Sequence, residues 1–375
     1  MFHSIDDAIA DYKNGKPLIV VDDEDRENEG DFIMPAEKVT PESINFMAKH
    51  GRGLICLAIT QQRADELELN IMVDRNTALH ATPFTVTIDA KRGTSTGISA
   101  ADRSTTIHTV IDPNCRPDDL ARPGHIFPLV ARDGGVLERS GHTEATVDLA
   151  RLSGLYPAGV LCEIMDDDGT MARVPRLIEI AKQFDLKIIT IKDLIHYRLR
   201  KEKFVRAVAK DIDLPSMFGS FNVTVYENIL NHDQHLAITK GNIRSGQPVL
   251  VRVHSQSLMS DVFGSSIFPS MVPIHKCLEQ IEKEGCGAFV YLRGHDSRGL
   301  GLYADEGKSS LDSHHTQDTD KDWRSLGVGS QILVDLGINK IRLMTNNSKK
   351  YIGLDGYGLE IVEIVPISSE ELKKN

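Results

Sequence analysis

The chain has 375 residues, a formal net charge of −11, 41% hydrophobic residues and 26% charged residues. This composition is typical of an ordinary globular protein of about two domains, and the acidic balance excludes a general nucleic-acid binder, which needs positive charge against phosphate. No apolar run approaches the ~20 residues that span a bilayer, no signal peptide is visible, and the five scattered cysteines are typical of free thiols, so we expect a cytoplasmic protein.

The N-terminal part mixes predicted helices and strands. Ser4 is a candidate N-cap of a first helix that ends near Gly15, and Thr40 followed by Pro41 predicts a second helix start. Strands are predicted over 18–21, 54–59, 84–88, 159–162 and 187–191, and helices over 145–151 and 174–184. We therefore expect a mixed α/β fold for this part.

The strand over 18–21 leads into an acidic segment, Asp22-Asp-Glu-Asp-Arg-Glu-Asn-Glu-Gly-Asp31. Its seven carboxylates repel one another unless a cation neutralises them, and carboxylate oxygens are the ligands that Mg²⁺ prefers. A solvated acidic loop is the alternative interpretation. Arg26 within the run and the flexible Gly30 favour a shaped metal site.

Composition changes after residue 196. The chain becomes basic and helical in pattern, and residues 201–210 are predicted to connect two domains. Apolar and polar residues then alternate over 221–226, 236–239 and 248–253, which indicates strands. A helix over 328–336 and strands over 341–344 and 359–365 follow. The predicted organisation is an α/β domain over residues 1–200, a basic connector over 201–210 and a β-rich α+β domain over 211–375.

Two stretches of the first domain have side chains suited to phosphate and metal. Residues 94–103 are rich in hydroxyls and could offer N–H groups to a phosphate, or form only a loop and a helix cap. In Arg139-Ser-Gly-His-Thr-Glu-Ala145, Arg139 can bind a phosphate with two hydrogen bonds. His142 can bind a metal or move a proton, although a lone histidine before a helix is often structural.

Two more stretches carry candidate acid/base groups. Glu163 ends a predicted buried strand and is suited to proton transfer, or merely pairs with an arginine. Arg122-Pro-Gly-His125 presents a histidine on a rigid loop. With the acidic segment, these stretches predict metal-dependent chemistry on a small phosphorylated substrate.

Several of these stretches resemble the 3,4-dihydroxy-2-butanone 4-phosphate synthase family in order and spacing. They are residues 22–31, 97–103, 122–128, 141–145 and 158–163, and the resemblance covers roughly residues 1–200. It implies a homodimeric lyase of riboflavin biosynthesis that uses two Mg²⁺ or Mn²⁺ ions per site. The implied reaction converts ribulose 5-phosphate to 3,4-dihydroxy-2-butanone 4-phosphate and formate by enolisation, loss of the C1 hydroxyl, a 1,2-shift and release of C4.

The resemblance also implies roles for individual residues. Glu27 and His142 would be the metal ligands, and Glu163 the essential acid/base. Asp31 is a further catalytic candidate, and His125 matches a catalytic histidine expected to reach the site of the partner subunit. The implied substrate-binding residues are Arg26, Glu27, Asp31, Thr96, Arg139, Ser140, Gly141, His142, Thr143 and Glu163.

Residues 210–370 resemble GTP cyclohydrolase II, on the stretches 251–265, 291–293, 297–302, 343–350 and 356–361. The residues at positions of a possible vestigial nucleotide site are Arg252, His254, Asp322, Arg324, Thr345 and Lys350. The zinc cysteines of that family are replaced by Ser257, Phe268 and Ser270, and serine is a poor zinc ligand while phenylalanine is none. We therefore expect a degenerate domain with a structural or regulatory role, no zinc and no cyclohydrolase activity.

Two alternatives remain for the second domain. It could open GTP with other ligands, such as His295, His314 and His315, which would make the protein bifunctional. It could also bind a nucleotide without turnover and act as a sensor for the first domain.

Overall fold

A computed structural model describes residues 2–24, 26–78, 82–244, 246–257, 261–263, 274–293, 319–346 and 357–367, with the backbone alone described over 319–326. Contacts divide the chain into two compact units, Met1–Arg198 and Leu199–Asn375. No helix of the described part combines the length and the apolar character needed to cross a bilayer.

The first unit is a seven-stranded mixed sheet with helices around it. Its strands are β1 Leu18–Val21, β2 Gly30–Pro35, β3 Cys56–Thr60, β4 Ile88–Ala90, β5 Leu120–Ala131, β6 Gly159–Glu163 and β7 Lys187–Thr190. Its helices are α1 Ile5–Lys13, α2 Pro41–His50, α3 Gln61–Glu66, α4 Ala100–Ile111, α5 His142–Leu152, α6 Val174–Gln183 and α7 Ile191–Lys201, with short 3₁₀ turns at Ala36–Lys38, Pro117–Asp119 and Gly135–Leu137. The sheet order is β4-β5-β3-β6-β2-β1-β7.

The predicted helix starts of this unit are confirmed. The Ser4 side chain accepts a hydrogen bond from the Asp7 amide, and Thr40 and Ser43 form a capping box ahead of Pro41. The predicted strand over 84–88 is wrong. Phe84 and Thr85 make only isolated bridges, to Leu129 and Ile71, and β4 begins at Ile88. The Thr85 amide donates to the Pro128 carbonyl, but Pro128 has no N–H with which to extend a ladder.

The core of the first unit lies between the sheet and its helices. β1 is buried along its whole length, as expected of a central strand covered on both faces. Phe32, Ile44 and Leu57 are among the fully buried side chains of this core. The packing of this core therefore holds in place β1 and β2, which flank the acidic loop, and β6, which ends at Glu163.

The second unit contains another seven-stranded sheet, as the alternating pattern predicts. Its elements are β8 Val205–Ser216, β9 Gly219–Asn228, β10 Gln234–Lys240, β11 Val249–Ser255, α8 Ile274–Glu284, β12 Gly287–Leu292, α9 Thr319–Asp335, β13 Lys340–Met344 and β14 Glu360–Val365. The order is β14-β13-β11-β12-β10-β9-β8; the strands from β14 to β12 are parallel and those from β12 to β8 antiparallel. The mixed α/β architecture with a β-rich second domain is confirmed.

The predicted connector is wrong in its second half. Helix α7 ends at Lys201, and residues from Val205 onward pair with β9 instead of continuing a helix. Val205 is buried in the second core while Arg206 is exposed, so period-two alternation overrides the basic composition of this segment.

Candidate functional site

The acidic segment is the loop of a hairpin between β1 and β2. These strands are antiparallel neighbours, with Val21 opposite Gly30 and Val20 opposite Asp31. On its other side β2 pairs with β6, which sets Asp31 directly opposite Glu163. Residues opposite each other in a sheet are in direct reach, so the register brings two predicted site carboxylates together.

Asp22 organises this loop from its first position. Its buried carboxylate accepts hydrogen bonds from the backbone N–H groups of Glu27 at 3.1 Å and Glu29 at 2.8 Å, and from Arg26 Nη1 at 2.9 Å. Arg26 Nη1 also lies 2.7 Å from Glu27 Oε2. The loop conformation, and with it the direction of the Glu27 side chain, therefore depends on Asp22.

His142 begins α5 and faces this loop. Its Nε2 lies 3.2 Å from the carbonyl oxygen of Val20, which can only accept, so Nε2 carries the proton. The other ring nitrogen, Nδ1, lies 3.7 Å from Glu27 Oε2 and 3.9 Å from Asp31 Oδ1. When Nδ1 carries no proton, its lone pair is available to a metal ion on the side of the ring that faces these two carboxylates.

Asp22, Glu27 and His142 can converge on one metal ion. Their ligand atoms lie within 4.8 Å of one another, and they form the only such group among the residues that the structure describes. Asp31 Oδ1 is buried nearby without a hydrogen-bond partner. Carboxylate oxygens with one imidazole suit a hard divalent cation such as Mg²⁺ or Mn²⁺, so the donor set fits the expected metal.

Asp22 is the member that sequence reasoning missed. The resemblance implies only Glu27 and His142 as metal ligands. The signal for Asp22 was its place directly after a buried strand, where a carboxylate can accept the N–H groups of the turn that follows.

The charges of this cluster shift one another's pKa values. Burial favours the neutral form of Glu27, but His142 and Arg26 outweigh it and lower its pKa to about 2. Burial raises the pKa of Asp31 to about 8. Burial alone would lower the pKa of His142, but the carboxylates of Asp31, Glu27 and Asp22 raise it to about 9. The Asp31 carboxylate raises the pKa of His142 only while it is ionised, so the two groups titrate as a pair, and without a metal this pair holds at least one proton at neutral pH.

Glu163 is held at the end of β6 by a glycine loop. Its Oε2 accepts a hydrogen bond of 2.8 Å from the Leu54 amide. A Cβ at Gly53 would lie 2.5 Å from both the backbone oxygen and Oε2 of Glu163. Only glycine allows this close approach, so Gly53 is a second residue that the sequence alone did not single out.

The Arg139 segment enters α5 just before His142. Gly141 is the N-cap, Thr143 is buried in the first turn, and Ser140 is partly buried. Arg139 Nη1 lies 2.7 Å from Glu144 Oε2. The implied substrate-binding residues of this segment therefore lie directly before the candidate metal ligand His142 or in the first helical turn that it begins.

His125 belongs to a different group. Its Nδ1 lies 2.7 Å from Asp89 Oδ2, and its side chain is 41% exposed. Thr96 is exposed, one residue before Gly97, whose Cβ position would lie 2.6 Å from His125 Nδ1. Among the described residues, no hydrogen bond or ion pair connects His125 or Thr96 with the cluster around Glu27.

In the second unit, His254 and Thr345 lie at the carboxyl ends of the neighbouring parallel strands β11 and β13, and Arg252, in the middle of β11, reaches the last residue of β13. Arg252 and His254 are on β11, Thr345 follows β13, and Arg252 Nη1 donates to the carbonyl of Met344 at 3.0 Å. Of Asp322 and Arg324 only the backbone in α9 is described, and Lys350 lies outside the described residues. Carboxyl ends of parallel strands are the usual place for a ligand site in such sheets.

Asp261 is a further polar residue here that sequence reasoning missed. Its Oδ1 lies 2.8 Å from Nε2 of the buried His254, and its Oδ2 accepts from the Tyr291 hydroxyl and the Ser257 amide, both at 2.9 Å. The His254 and Tyr291 rings stack at 5.8 Å. These bonds form a buried, ordered polar cluster at the end of β11.

The described residues of this unit do not fit a thiolate zinc site. Ser257 is buried and lacks a thiolate, and positions 268 and 270, with His295, His314 and His315, lie outside the described residues. Cys277 lies buried in α8, and Cys286 directly precedes β12. In the described part of this unit, no three His, Cys, Asp or Glu residues converge as a metal group.

Comparisons with known proteins agree with the division into two units. Residues 6–197 match the family model of 3,4-dihydroxy-2-butanone 4-phosphate synthase, and residues 206–366 match that of GTP cyclohydrolase II. The chain is 53% identical to the riboflavin biosynthesis protein RibBA of Aquifex aeolicus, over 98% of this chain and 93% of that protein. It is 51% identical to RibBA of Bacillus cereus, over 100% of this chain and 96% of that protein.

Solved structures show the same relationship. The crystal structure of RibBX from A. baumannii, described as a two-domain 3,4-dihydroxy-2-butanone 4-phosphate synthase, matches with a TM-score of 0.80 and 39% identity over 98% of this chain and all of that one. A 3,4-dihydroxy-2-butanone 4-phosphate synthase in complex with two magnesium ions matches 53% of this chain and 98% of that chain, with a TM-score of 0.51 and 40% identity.

The expectation that GTP cyclohydrolase II activity is absent is contradicted. The second domain matches the cyclohydrolase family over almost its whole length, and RibBA relatives align with both domains. The inference from three missing thiolates was therefore too strong, and the description of this domain as degenerate is unsupported. The chain belongs to the 3,4-dihydroxy-2-butanone 4-phosphate synthase family and continues into a second domain of the GTP cyclohydrolase II family.

Proposed function

We propose that the first domain converts D-ribulose 5-phosphate to L-3,4-dihydroxy-2-butanone 4-phosphate and formate in riboflavin biosynthesis. The observation that carries this proposal is the convergence of Glu27, Asp22 and His142 beside Asp31 and Glu163. The atoms of substrate and products balance without water or an oxidant. The site therefore needs only to move protons and stabilise charge.

Glu27 and His142, with Asp22 beside them, would hold two Mg²⁺ or Mn²⁺ ions. Such ions stabilise negative charge on substrate oxygens. Arg26 and Asp31 orient the sugar hydroxyls, and Asp22 keeps the loop in the shape that presents Glu27. The buried surroundings of His142 and Asp31 exclude water from this part of the site.

Glu163 acts as the general acid/base. Its Oε2 accepts a hydrogen bond from the Leu54 amide, and Gly53 lies so close to the carboxylate that a Cβ there would be 2.5 Å from Oε2. A general base must be held within hydrogen-bond reach of the proton that it takes. Asp31, opposite Glu163 on β2, is the second proton-transfer group, and His125 acts from the partner subunit.

Arg139 and Thr143 bind the phosphate of the substrate, with Ser140, Gly141 and the more distant Thr96 as further contacts. Arg139 supplies charge and paired donors, and the start of α5 supplies N–H groups and a favourable helix dipole. A phosphate held here lies at the end of α5 that His142 begins. The substrate is thus fixed at one end while its sugar carbons face the acidic loop.

The direct experiment is an assay of formate release from ribulose 5-phosphate by the purified full-length chain. We expect Mg²⁺- or Mn²⁺-dependent formation of equal amounts of formate and four-carbon phosphate. Ribose 5-phosphate, which has no ketone at C2, is the control substrate. Absence of formate with either metal would refute the proposal. Sedimentation of the same sample tests the proposed homodimer, and fractionation of cells tests the proposed cytoplasmic location.

Metal binding should be tighter at higher pH. Between them, His142, with a pKa of about 9, and Asp31, with a pKa of about 8, hold at least one proton at neutral pH that a metal must displace. For each proton released, Mn²⁺ affinity should increase about tenfold per pH unit between about pH 6.5 and 8. Calorimetric titration in two buffers of different ionisation enthalpy measures both the affinity and the proton count. Constant affinity with no proton release would contradict these assignments.

A second function, cyclohydrolase II chemistry on GTP, is favoured by the family match over residues 206–366. The His254–Asp261–Tyr291 cluster at the parallel strand ends supports an ordered ligand site there. The test is GTP turnover by the full-length chain with its zinc content measured alongside. Turnover would establish a bifunctional enzyme, GTP binding without turnover would establish the sensor, and the absence of both would refute a nucleotide role.

A further inference from the structure

Glu144 is a fully buried carboxylate in the first turn of α5. Its Oε2 accepts a hydrogen bond of 2.7 Å from Arg139 Nη1, and its Oε1 accepts one of 3.2 Å from the backbone N–H of Arg132. A buried carboxylate is costly unless its charge is matched and its oxygens are bonded. Arg139 supplies the matching charge, so the pair forms a bonded unit in the folded domain.

Gly141 provides the space for this pair. A Cβ at position 141 would lie 2.4 Å from Arg139 Nη1 and 2.7 Å from Glu144 Oε2. The φ angle of Gly141 is −115°, which other residues adopt without strain. Glycine is therefore needed here for the close packing of two side chains and not for backbone conformation.

The pair joins two parts of the proposed site. Arg139 precedes α5, whereas Glu144 lies on the same helical turn as His142. The bond between Arg139 Nη1 and Glu144 Oε2 anchors the guanidinium at the start of the helix. The phosphate-binding cation and the metal-binding imidazole thus share one rigid element.

We propose that Glu144 is a positioning residue, which orients Arg139 for the phosphate of the substrate. This inference rests on the proposed function, because it requires Arg139 to bind that phosphate. An arginine held in its binding geometry loses less side-chain freedom when the phosphate arrives. Glu144 itself is fully buried and acts through Arg139.

Asp148 offers a matched control on the same helix. It is equally buried, and its Oδ2 accepts hydrogen bonds of 2.8 Å from the Val136 amide and from Arg198 Nη1. Like Glu144 it accepts hydrogen bonds from one backbone N–H and one arginine, and Arg151 Nη1 lies 3.7 Å from its Oδ1; none of these partners is assigned to the substrate. Asp148→Asn therefore removes a comparable buried charge without affecting Arg139.

The test compares Glu144→Gln, Asp148→Asn and Arg139→Gln in the full-length protein. In Glu144→Gln, the KM for ribulose 5-phosphate and the inhibition constant of inorganic phosphate should rise together by about tenfold or more, because the charge-assisted bond that orients Arg139 is lost. Its kcat and Mn²⁺ affinity should change less than about threefold. Asp148→Asn should lower the melting temperature but leave both phosphate-dependent constants unchanged.

The outcomes separate this inference from the proposed function. If Arg139→Gln raises both constants and Glu144→Gln raises neither, the positioning role is overturned and the phosphate role of Arg139 stands. If Arg139→Gln raises neither, the phosphate assignment fails and the positioning role fails with it. If Glu144→Gln does not fold, Gly141→Ala disturbs the same pair without changing any charge. It should raise both constants, and unchanged constants would overturn the proposal.

Discussion

Glu27→Gln should abolish formate release while the domain remains folded. The amide replaces a charged metal ligand with a neutral one, and a loss of several kcal/mol of charge stabilisation corresponds to a decrease in kcat of about 10³-fold or more. The loop should survive, because Asp22 holds it through the backbone N–H groups of residues 27 and 29, which the substitution leaves intact. Formate release measures catalysis, Mn²⁺ titration measures metal binding, and the melting temperature measures whether the domain remains folded.

Glu24→Gln is the matched control for this change. Glu24 lies exposed in the same acidic loop and does not belong to the group of Asp22, Glu27 and His142 that could hold a metal ion. Its substitution should leave kcat and Mn²⁺ affinity within about twofold, because an exposed charge in this loop is screened by solvent. Retained turnover in Glu27→Gln would refute the ligand assignment, and a large loss in Glu24→Gln would show that the overall charge of the loop matters more than the position of Glu27.

Glu163→Gln should have the second-largest effect. Its amide oxygen can still accept the hydrogen bond from Leu54, but the side chain can no longer take up a proton. Removal of a general acid/base costs about 10²- to 10⁴-fold, so kcat should fall by that range while Mn²⁺ affinity stays within about threefold. The measurements are steady-state formate release and Mn²⁺ titration.

Two further variants sharpen this test. Glu37→Gln changes a carboxylate that also accepts a backbone hydrogen bond from a distant segment, in this case the Tyr156 amide at 2.7 Å, and it should leave kcat unchanged. Gly53→Ala keeps every charge but places a methyl group 2.5 Å from Glu163 Oε2, so it should lower kcat about tenfold or more by displacing the carboxylate. Normal kcat in both Glu163→Gln and Gly53→Ala would exclude Glu163 from proton transfer.

Local sequence signals predicted many elements because their causes are local. The caps at Ser4 and Thr40 bond residues within their own first turns, and the alternation of side chains between two faces is a property of each strand by itself. Local composition failed after Lys201. The basic charges suggested a connector, but the segment from Val205 onward forms strand β8, because Val205 and Ala207 pack into the second core.

The sequence by itself determined which chemical groups the first domain contains and in which order they occur. Only the tertiary structure decided which of them meet. Strand register sets Asp31 opposite Glu163, and a shift of one residue would turn either side chain to the other face. The seven acids of residues 22–31 are chemically alike. The backbone bonds of Asp22, the approach of His142 to Glu27 and the strand position of Asp31 distinguish these three. Which acids meet His142 and Glu163 therefore depends on contacts between segments far apart in the chain, and no local sequence pattern predicts those contacts.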